Sequence, residues 1–360
     1  MATSAAVVAV GDREVRVSSP DRVVYEATDR TPEVTKLQVC EYFAAVGDAL
    51  MHACHDRPTA LERWPGGWRE GMRLSTAVNG QPQNGEGFYS KRLPKGAPDW
   101  TLTTRVSSPN GRPIDELRLS EPAAAVWAAQ MGTLTFHPWA VRSDDVEHPD
   151  ELRIDLDPQP GTGFAEAKRV AFLARDVLQE LGIRPFVKTS GNRGVHVSVR
   201  IEPRWTFEQV RHAAIGLGRE LERRDPGVTT AWWKEERGER LFVDFNQNNR
   251  DRTIASAWSL RPRPGAPVST RLTWEQLDGV DDPRGFNLFT VGEHLAGGDP
   301  WAEMDDVHHA LDPLLDLWES LPGGELNFPP DYPKMPGEPP RVQPSKKVAG
   351  NWDEQGNRLD

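Results

Sequence analysis

The run Arg153-Ile154-Asp155-Leu156-Asp157-Pro158 constrains this chain more than any other segment. Leu152, Ile154 and Leu156 alternate with Arg153, Asp155 and Asp157, the period of a β-strand with one apolar face. Asp155 and Asp157 then point the same way, with Cα atoms ~7 Å apart by strand rise. Like charges so close repel. A pair of divalent cations relieves that repulsion, because hard ions ~4 Å apart take bridging carboxylate oxygens. Pro158 stops the strand, which puts the acids at a sheet edge facing a cleft. Taken alone, such a run is more commonly a solvated strand end, so its meaning depends on what else converges on it.

Two further motifs converge. Thr189-Ser190-Gly191-Asn192-Arg193-Gly194-Val195-His196 joins two predicted strands through a glycine turn. Ser190 and open backbone N–H groups there suit an anion, Arg193 adds a charged fork, and His196 enters the next strand on its polar face. A plain hairpin turn with a surface arginine is the competing reading. Phe242-Val243-Asp244-Phe245-Asn246-Gln247-Asn248 sets one acid in an apolar strand, and a buried acid needs a partner. Asp155, Asp157 and Asp244 together can hold two divalent ions against a triphosphate. Downstream, Arg261-Pro262-Arg263 is a stiff cationic segment suited to phosphates, or else a solvated basic loop. His137 before Pro138-Trp139 reads as a phosphate contact or a satisfied core histidine. Phe88-Tyr89 before Ser90-Lys91-Arg92 suits base stacking with backbone neutralisation, or core packing.

The rest of the chain alternates strands with helices. Thr35 caps a helix running to His55, and Leu102 to Leu119 predicts a hairpin turning at Asn110-Gly111. Glu121–Met131, Phe164–Leu181 and the stretch from Thr206 to Arg224 predict helices. Leu134 and Phe136 alternate with Thr133, Thr135 and His137 as a strand with one polar face. Further helices are expected over Phe286–Ala296 and Trp301–Trp318, the latter with Asp299 and Pro300 at its start. Beyond Leu321 the sequence turns proline-rich and polar, which predicts an irregular arm over 322–360 after one catalytic domain over 1–321.

Composition narrows the function classes. A net charge of −11 argues against coating nucleic acid through overall charge, while leaving room for a local basic groove. Two cysteines, Cys40 and Cys54, form no Cys-x-x-Cys pair, so structural zinc is unsupported and a reducing cytoplasm fits. No apolar run reaches ~18 residues, so no transmembrane helix is expected. The opening residues lack a basic leader, and no secretory signal is expected.

In this order the motifs resemble the archaeo-eukaryotic primase superfamily, and within it the polymerase domain of bacterial ligase D. The resemblance runs from about Val15 to about Leu321 and includes Arg63-Trp64-Pro65, Phe136-His137-Pro138-Trp139 and Ser259-Leu260-Arg261. It implies an α+β primase-polymerase fold, with two mixed β-sheet sub-domains and flanking helices around a central active-site cleft. It implies a DNA-repair nucleotidyltransferase using two Mn²⁺ or Mg²⁺ ions, with ribonucleotides preferred over deoxynucleotides. Asp155 and Asp157 would bridge both ions, and Asp244 would hold the ion nearer the primer. Ser190, Arg193, His137, His196, Arg261, Arg263 and Gln247 would bind the nucleoside triphosphate, and Phe88 or Tyr89 would stack on a base. Arg22, Lys36 and Arg63 would meet DNA, as a gapped duplex or an end with a 3′ overhang. One departure concerns Glu62, which stands where the family usually has a lysine in its 5′-phosphate pocket. An acid there would repel the phosphate. No ligase or phosphoesterase motif accompanies these motifs, which resembles the stand-alone actinobacterial type. Such a protein would work on bacterial cytoplasmic, nucleoid-associated DNA, with end-binding repair proteins and a separate ligase. A two-metal nuclease or phosphoesterase and a non-catalytic DNA-end binding or synapsis module are the competing functions.

Overall fold

The computed structural model describes residues 5–78, 81–83, 85–107 and 113–326. The Asn110-Gly111 turn and all of the expected arm beyond residue 326 lie outside the described residues. Two β-sheets and their helices form the body. The first sheet runs in the order Thr133–Pro138, Pro58–Arg63, Pro113–Arg118, Leu102–Ser107, with Phe88–Ser90 also paired to Pro58–Arg63. Helices Lys36–Ala45, Gly47–Cys54 and Pro122–Gln130 cover it, and Phe43, Leu50, Val126 and Phe136 pack there with Trp258 and Leu260. Thr35 caps the first helix through a reciprocal capping box with Gln38. The single helix expected from Lys36 to His55 is broken at Val46 (φ −93°, ψ 9°). The reason is a close approach: a Cβ on Gly47 would stand 2.6 Å from Pro122 Cβ.

The second sheet has six strands, ordered Val228–Thr229, Leu241–Asp244, Glu151–Asp157, Val195–Arg200, Phe186–Thr189, Arg271–Leu272. Val228–Thr229 pairs in parallel and the other strands antiparallel, so the sheet is mixed. Leu152, Ile154 and Leu156 pack against helices Phe164–Glu180 and Phe207–Arg224 in a second core. The acidic strand therefore sits mid-sheet, and the expectation of a sheet edge is corrected. Its polar face is not solvated either. Arg153 donates to Pro138 O at 2.7 Å and to Trp139 O at 3.0 Å, tying that face to the first sheet. The strand Thr133–Pro138 is likewise buried on both faces. Segment 256–261 covers its polar side, where Thr135 Oγ1 donates to Leu260 O and Phe136 N donates to Ser259 Oγ. Polar residues alternate in both strands because other parts of the chain cover them, Pro138 and Trp139 over Arg153 and segment 256–261 over Thr135.

The C-terminal third departs most from expectation. Within Phe286–Ala296 only Val291–Leu295 is helical, and Trp301–Trp318 is not one helix but a 3₁₀ turn at Met304–Asp306 followed by helix Asp312–Ser320. Asp299 does turn its carboxylate onto Trp301 N, yet it also binds His52 and Arg271, which draws the segment away from a helical path. Pro313 in the first turn starts the final helix. No described helix is long and apolar enough to cross a membrane.

Candidate active site

Strand register builds the acidic cluster. Asp155 is paired with Asp244 on one neighbouring strand and with His196 on the other, and Asp157 follows two residues along the same face. Paired residues of antiparallel strands stand only ~5 Å apart. Burial, then the charges of Asp244 and Asp157, push the Asp155 carboxyl up to about 8. Burial also raises Asp244. Asp244 and Asp157 are held in place by hydrogen bonds. Asn246 N donates to Asp244 Oδ1 at 3.0 Å and Gln247 Nε2 to Oδ2 at 2.9 Å, while Gln159 Nε2 reaches Asp157 Oδ2 at 3.3 Å. Gln247, expected at the nucleotide, has its amide committed to Asp244. The donor set is all-oxygen and crowded by its own charge, and so fits hard divalent cations.

Beside the acids stands the Ser190–Gly194 turn. Gly191 has φ +72°, and a Cβ there would lie 2.5 Å from Arg261 Cγ. A Cβ at Gly194 would lie 2.8 Å from Leu156 O, so the turn rests directly on the acidic strand. Two of the amides expected to lie open are taken within the turn. Asn192 N and Gly194 N both donate to Ser190 Oγ, at 3.2 and 3.1 Å. With both lone pairs taken, the hydroxyl has its own proton left to donate outward. Arg261 meets the turn with Nε and Nη1 buried and lacking hydrogen-bond partners, the charge an anion would satisfy. Arg193 reaches back to Pro158 O at 3.5 Å, and Arg263 is exposed two residues beyond Arg261.

The first sheet forms the facing wall. Glu62 is 2 % exposed, and its carboxylate accepts from Trp64 Nε1 at 3.1 Å and lies 3.0 Å from His137 Nε2. Burial alone would raise this acid. Hydrogen bonds from His137 and Trp64 and the charges of His137 and Arg261 outweigh burial and hold it down to about 2. Tyr89, 45 % exposed, meets His137 edge-on at 5.2 Å. Phe88 turns to the other side, under the Arg63 guanidinium at 5.1 Å. Register separates the two aromatics: Tyr89 pairs with Glu62, and Phe88 with Arg63.

The expected DNA residues gather on that other side. Arg22 donates to Pro65 O at 2.6 Å and Arg63 to Met131 O at 2.8 Å. Lys36 is buried, its Nζ bonded to Ser18 O at 2.8 Å, with Gln130 Oε1 at 3.5 Å. Lys36 is thus turned inward to hold the fold rather than outward as a free cation. Glu62 does not belong to this patch. Successive strand residues face opposite ways, so Glu62 points to His137 while Arg63 points to the patch. The repulsive acid expected beside a DNA phosphate is therefore corrected.

Sequence reasoning missed Lys188. It pairs with His196 in the hairpin register, is 3 % exposed, and lies 2.7 Å from His196 Nδ1. Burial pushes it well below its ordinary value, and burial followed by the charge of Lys188 does the same to His196. Pairing residues outward from the Ser190–Gly194 turn would have found it.

Strand register and the Ser190–Gly194 turn thus bring three carboxylates, a serine hydroxyl and an arginine with two buried, unbonded nitrogens to one junction. The chain belongs to the family described as LigD, primase-polymerase domain, whose model matches residues 35–301. The multifunctional non-homologous end joining protein LigD of Pseudomonas aeruginosa is 31% identical over 294 residues, 80% of this chain and 32% of that protein. Its counterpart in Mycolicibacterium smegmatis is 27% identical over 266 residues, 73% of this chain and 32% of that protein. The chain thus spans about a third of the length of these relatives. Among solved structures, the polymerase domain of Mycobacterium tuberculosis ligase D in complex with DNA matches with a TM-score of 0.69 and 26% identity. That match covers 82% of this chain and 99% of the other, and the α+β fold is shared.

Proposed function

We propose that this chain is a DNA-repair nucleotidyltransferase that adds nucleotides to a primer 3′-hydroxyl, filling short gaps or extending ends in non-homologous end joining. The observation that carries the proposal is the row Asp244–Asp155–His196 across three adjacent strands, with Asp157 on the same face and Arg261 beside it with Nε and Nη1 buried and unbonded among the described residues. In the reaction the 3′-hydroxyl gives up its proton to a site carboxylate and on to water, its oxygen bonds to the α-phosphorus, the bond from that phosphorus to the oxygen bridging to the β-phosphate breaks, and pyrophosphate leaves. Asp155, Asp157 and Asp244 would hold two Mg²⁺ or Mn²⁺ ions, which when bound supply a lowered 3′-hydroxyl pKa and neutralise the leaving charge. Ser190 donates its free proton to a phosphate oxygen, and Arg261 and Arg193 pair with the triphosphate. Tyr89 offers a stacking face at the site. Arg22 and Arg63 take DNA backbone phosphates on the neighbouring patch. A nuclease would use the same acids but has no need of a triphosphate site built from Ser190, Arg193 and Arg261.

Extension of a 5′-labelled primer in a gapped duplex tests the proposal, with NTPs and dNTPs compared in Mg²⁺ and Mn²⁺. Nucleotide-dependent lengthening is expected, faster with NTPs and with a 5′-phosphate across the gap. The phosphate stimulation should shrink in Arg22→Ala and Arg63→Ala. No lengthening with either metal, or shortening of the primer instead, refutes it.

A further inference from the structure

We propose that Lys91 is a positioning residue: its ion pair with Asp251 holds the strand that carries Tyr89 at a set separation from the acidic cluster. Its place just after Phe88-Tyr89 in the sequence suits a DNA phosphate. In the structure its Nζ donates instead to both carboxylate oxygens of Asp251, at 2.7 and 2.8 Å. The two residues are 160 apart in the chain and come from segments that belong to different sheets. The Asp251 side chain is 4 % exposed, so losing that ammonium would leave a buried carboxylate uncompensated. Lys91 is 42 % exposed and reaches in from the surface.

Each partner is fixed to a different wall of the site. Lys91 directly follows strand Phe88–Ser90, which is three residues long and pairs along one edge with Leu61–Arg63. Two residues further on, Leu93 N donates to Asp115 O at 3.1 Å, which keeps the chain on the first sheet. Asp251 lies in a run of backbone turns that starts at the acids. Asn246 N donates to Asp244 Oδ1, Asn249 N to Asn246 O at 3.1 Å, and Arg252 N to Asn249 O at 3.1 Å. The ion pair thus joins the end of the Tyr89 strand to the turns that follow Asp244. On the proposed nucleotidyl transfer, a base stacked on Tyr89 and a triphosphate at the acids belong to one molecule, so the separation of the two walls must be held. With its ammonium committed to a buried carboxylate, Lys91 serves that spacing and not the DNA backbone. The functional consequence rests on the polymerase reading; the joint itself does not.

Kinetics of nucleotide addition to a gapped duplex test this with Lys91→Met, Asp251→Asn, the double variant and Lys91→Arg. Asparagine tolerates the Asp251 φ of +64° and keeps the shape of the side chain. Each single variant should raise KM for the nucleotide on the order of tenfold while kcat falls less. The double variant should be no worse than either single one, and Lys91→Arg should recover most of the loss. Affinity for the gapped duplex and its salt dependence should not change. An unchanged KM overturns the proposal. So does a loss of DNA affinity with the salt slope reduced by ~1, which would make Lys91 a phosphate contact. Losses that add up in the double variant also overturn it. Hydrogen exchange of the full chain reads the joint without any turnover. Amides of segment 88–91 should exchange on the order of tenfold faster in both single variants, and unchanged exchange counts against the joint. Should Asp251→Asn fail to fold, Lys91→Met decides by itself, because it alters the exposed end of the pair. The expected exchange in a protein that cannot extend primers would sink the polymerase reading and leave the joint standing.

Discussion

Asp155 faces acids on its own strand and across the sheet, so its carboxylate is tolerable only with compensating positive charge. Asp155→Asn is expected to cut primer extension by about 10³-fold, the scale of losing one charge-stabilising group in a dry site. The same variant, free of metal, should melt no lower than the parent, because the substitution relieves repulsion. A variant that extends primers normally would remove the acid from catalysis. Glu116 shows the same physics away from the site. It is 0 % exposed, Oε2 accepts from Trp139 Nε1 at 3.0 Å, and Oε1 has no hydrogen-bond partner among the described residues. Burial pushes its carboxyl up to about 8 from an ordinary 4.5. The folded state thus favours the neutral acid. Its contribution to stability is full below pH ~4.5 and is lost progressively as pH rises towards ~8. Glu116→Gln should therefore match the parent near pH 4.5 and exceed it above pH ~8 by on the order of 3 kcal/mol. Melting curves across that range check this, and a constant difference would contradict it.

Helices and loops carry their own tests. Helix Phe207–Arg224 packs against helix Asp312–Ser320 at Gly216, where a Cβ would stand 2.5 Å from Leu314 O. That neighbour is backbone, so the helices must separate. Gly216→Ala should cost about 1–3 kcal/mol by overpacking, despite the better helix propensity of alanine. A denaturant midpoint at or above the parent's would count against it. Segment 299–305 is strapped to helix Gly47–Cys54 by His52, whose ring lies 2.6 Å from Asp299 and 3.2 Å from Asp305. Hydrogen bonds donated by its ring to those carboxylates raise His52 to about 8 from 6.5. This stabilisation is full below pH ~6.5 and disappears as pH rises through ~8. Replacing His52 with glutamine should cost about 1–2 kcal/mol at pH 6 and almost nothing at pH 9. An equal loss at both values would show that the strap does not work through charge. The strap was invisible beforehand because a helix start at Asp299 and a distant histidine 247 residues away compete for one carboxylate.

For the molecule as a whole, the two sheets meet through polar faces, and the cluster at that junction can be tested by what it binds. Divalent metal at about 100-fold over its Kd should add about 2.7 kcal/mol to stability, and EDTA should remove it. The effect should vanish when Asp155 and Asp244 are both asparagine. A metal-induced rise in Tm that survives the double substitution would place the ions elsewhere. The strands that carry the site were legible from alternation alone, and so were Asp155, Asp157 and Asp244 as one candidate cluster. What alternation could not reveal was the environment of the polar face. Arg153, Thr135 and Glu62 each sit where a half-exposed strand would show solvent, yet each is buried. Lys188 escaped notice for the same reason, as a charged residue in a short strand reads as surface.

The sequence by itself determined the strands that carry Asp155, His196 and Asp244, the long helices Phe164–Glu180 and Phe207–Arg224, and that Asp155 and Asp157 share a face, because those follow from local period. Only the tertiary structure decided what each polar side chain faces. It set the acidic strand in the middle of its sheet with Asp244 beside Asp155, turned Glu62 onto His137, and closed Lys188 in with Ala255 and Ser269. These outcomes depend on contacts between residues far apart in the chain. A buried charge is stable only where such distant partners supply its hydrogen bonds, and a linear pattern does not contain them.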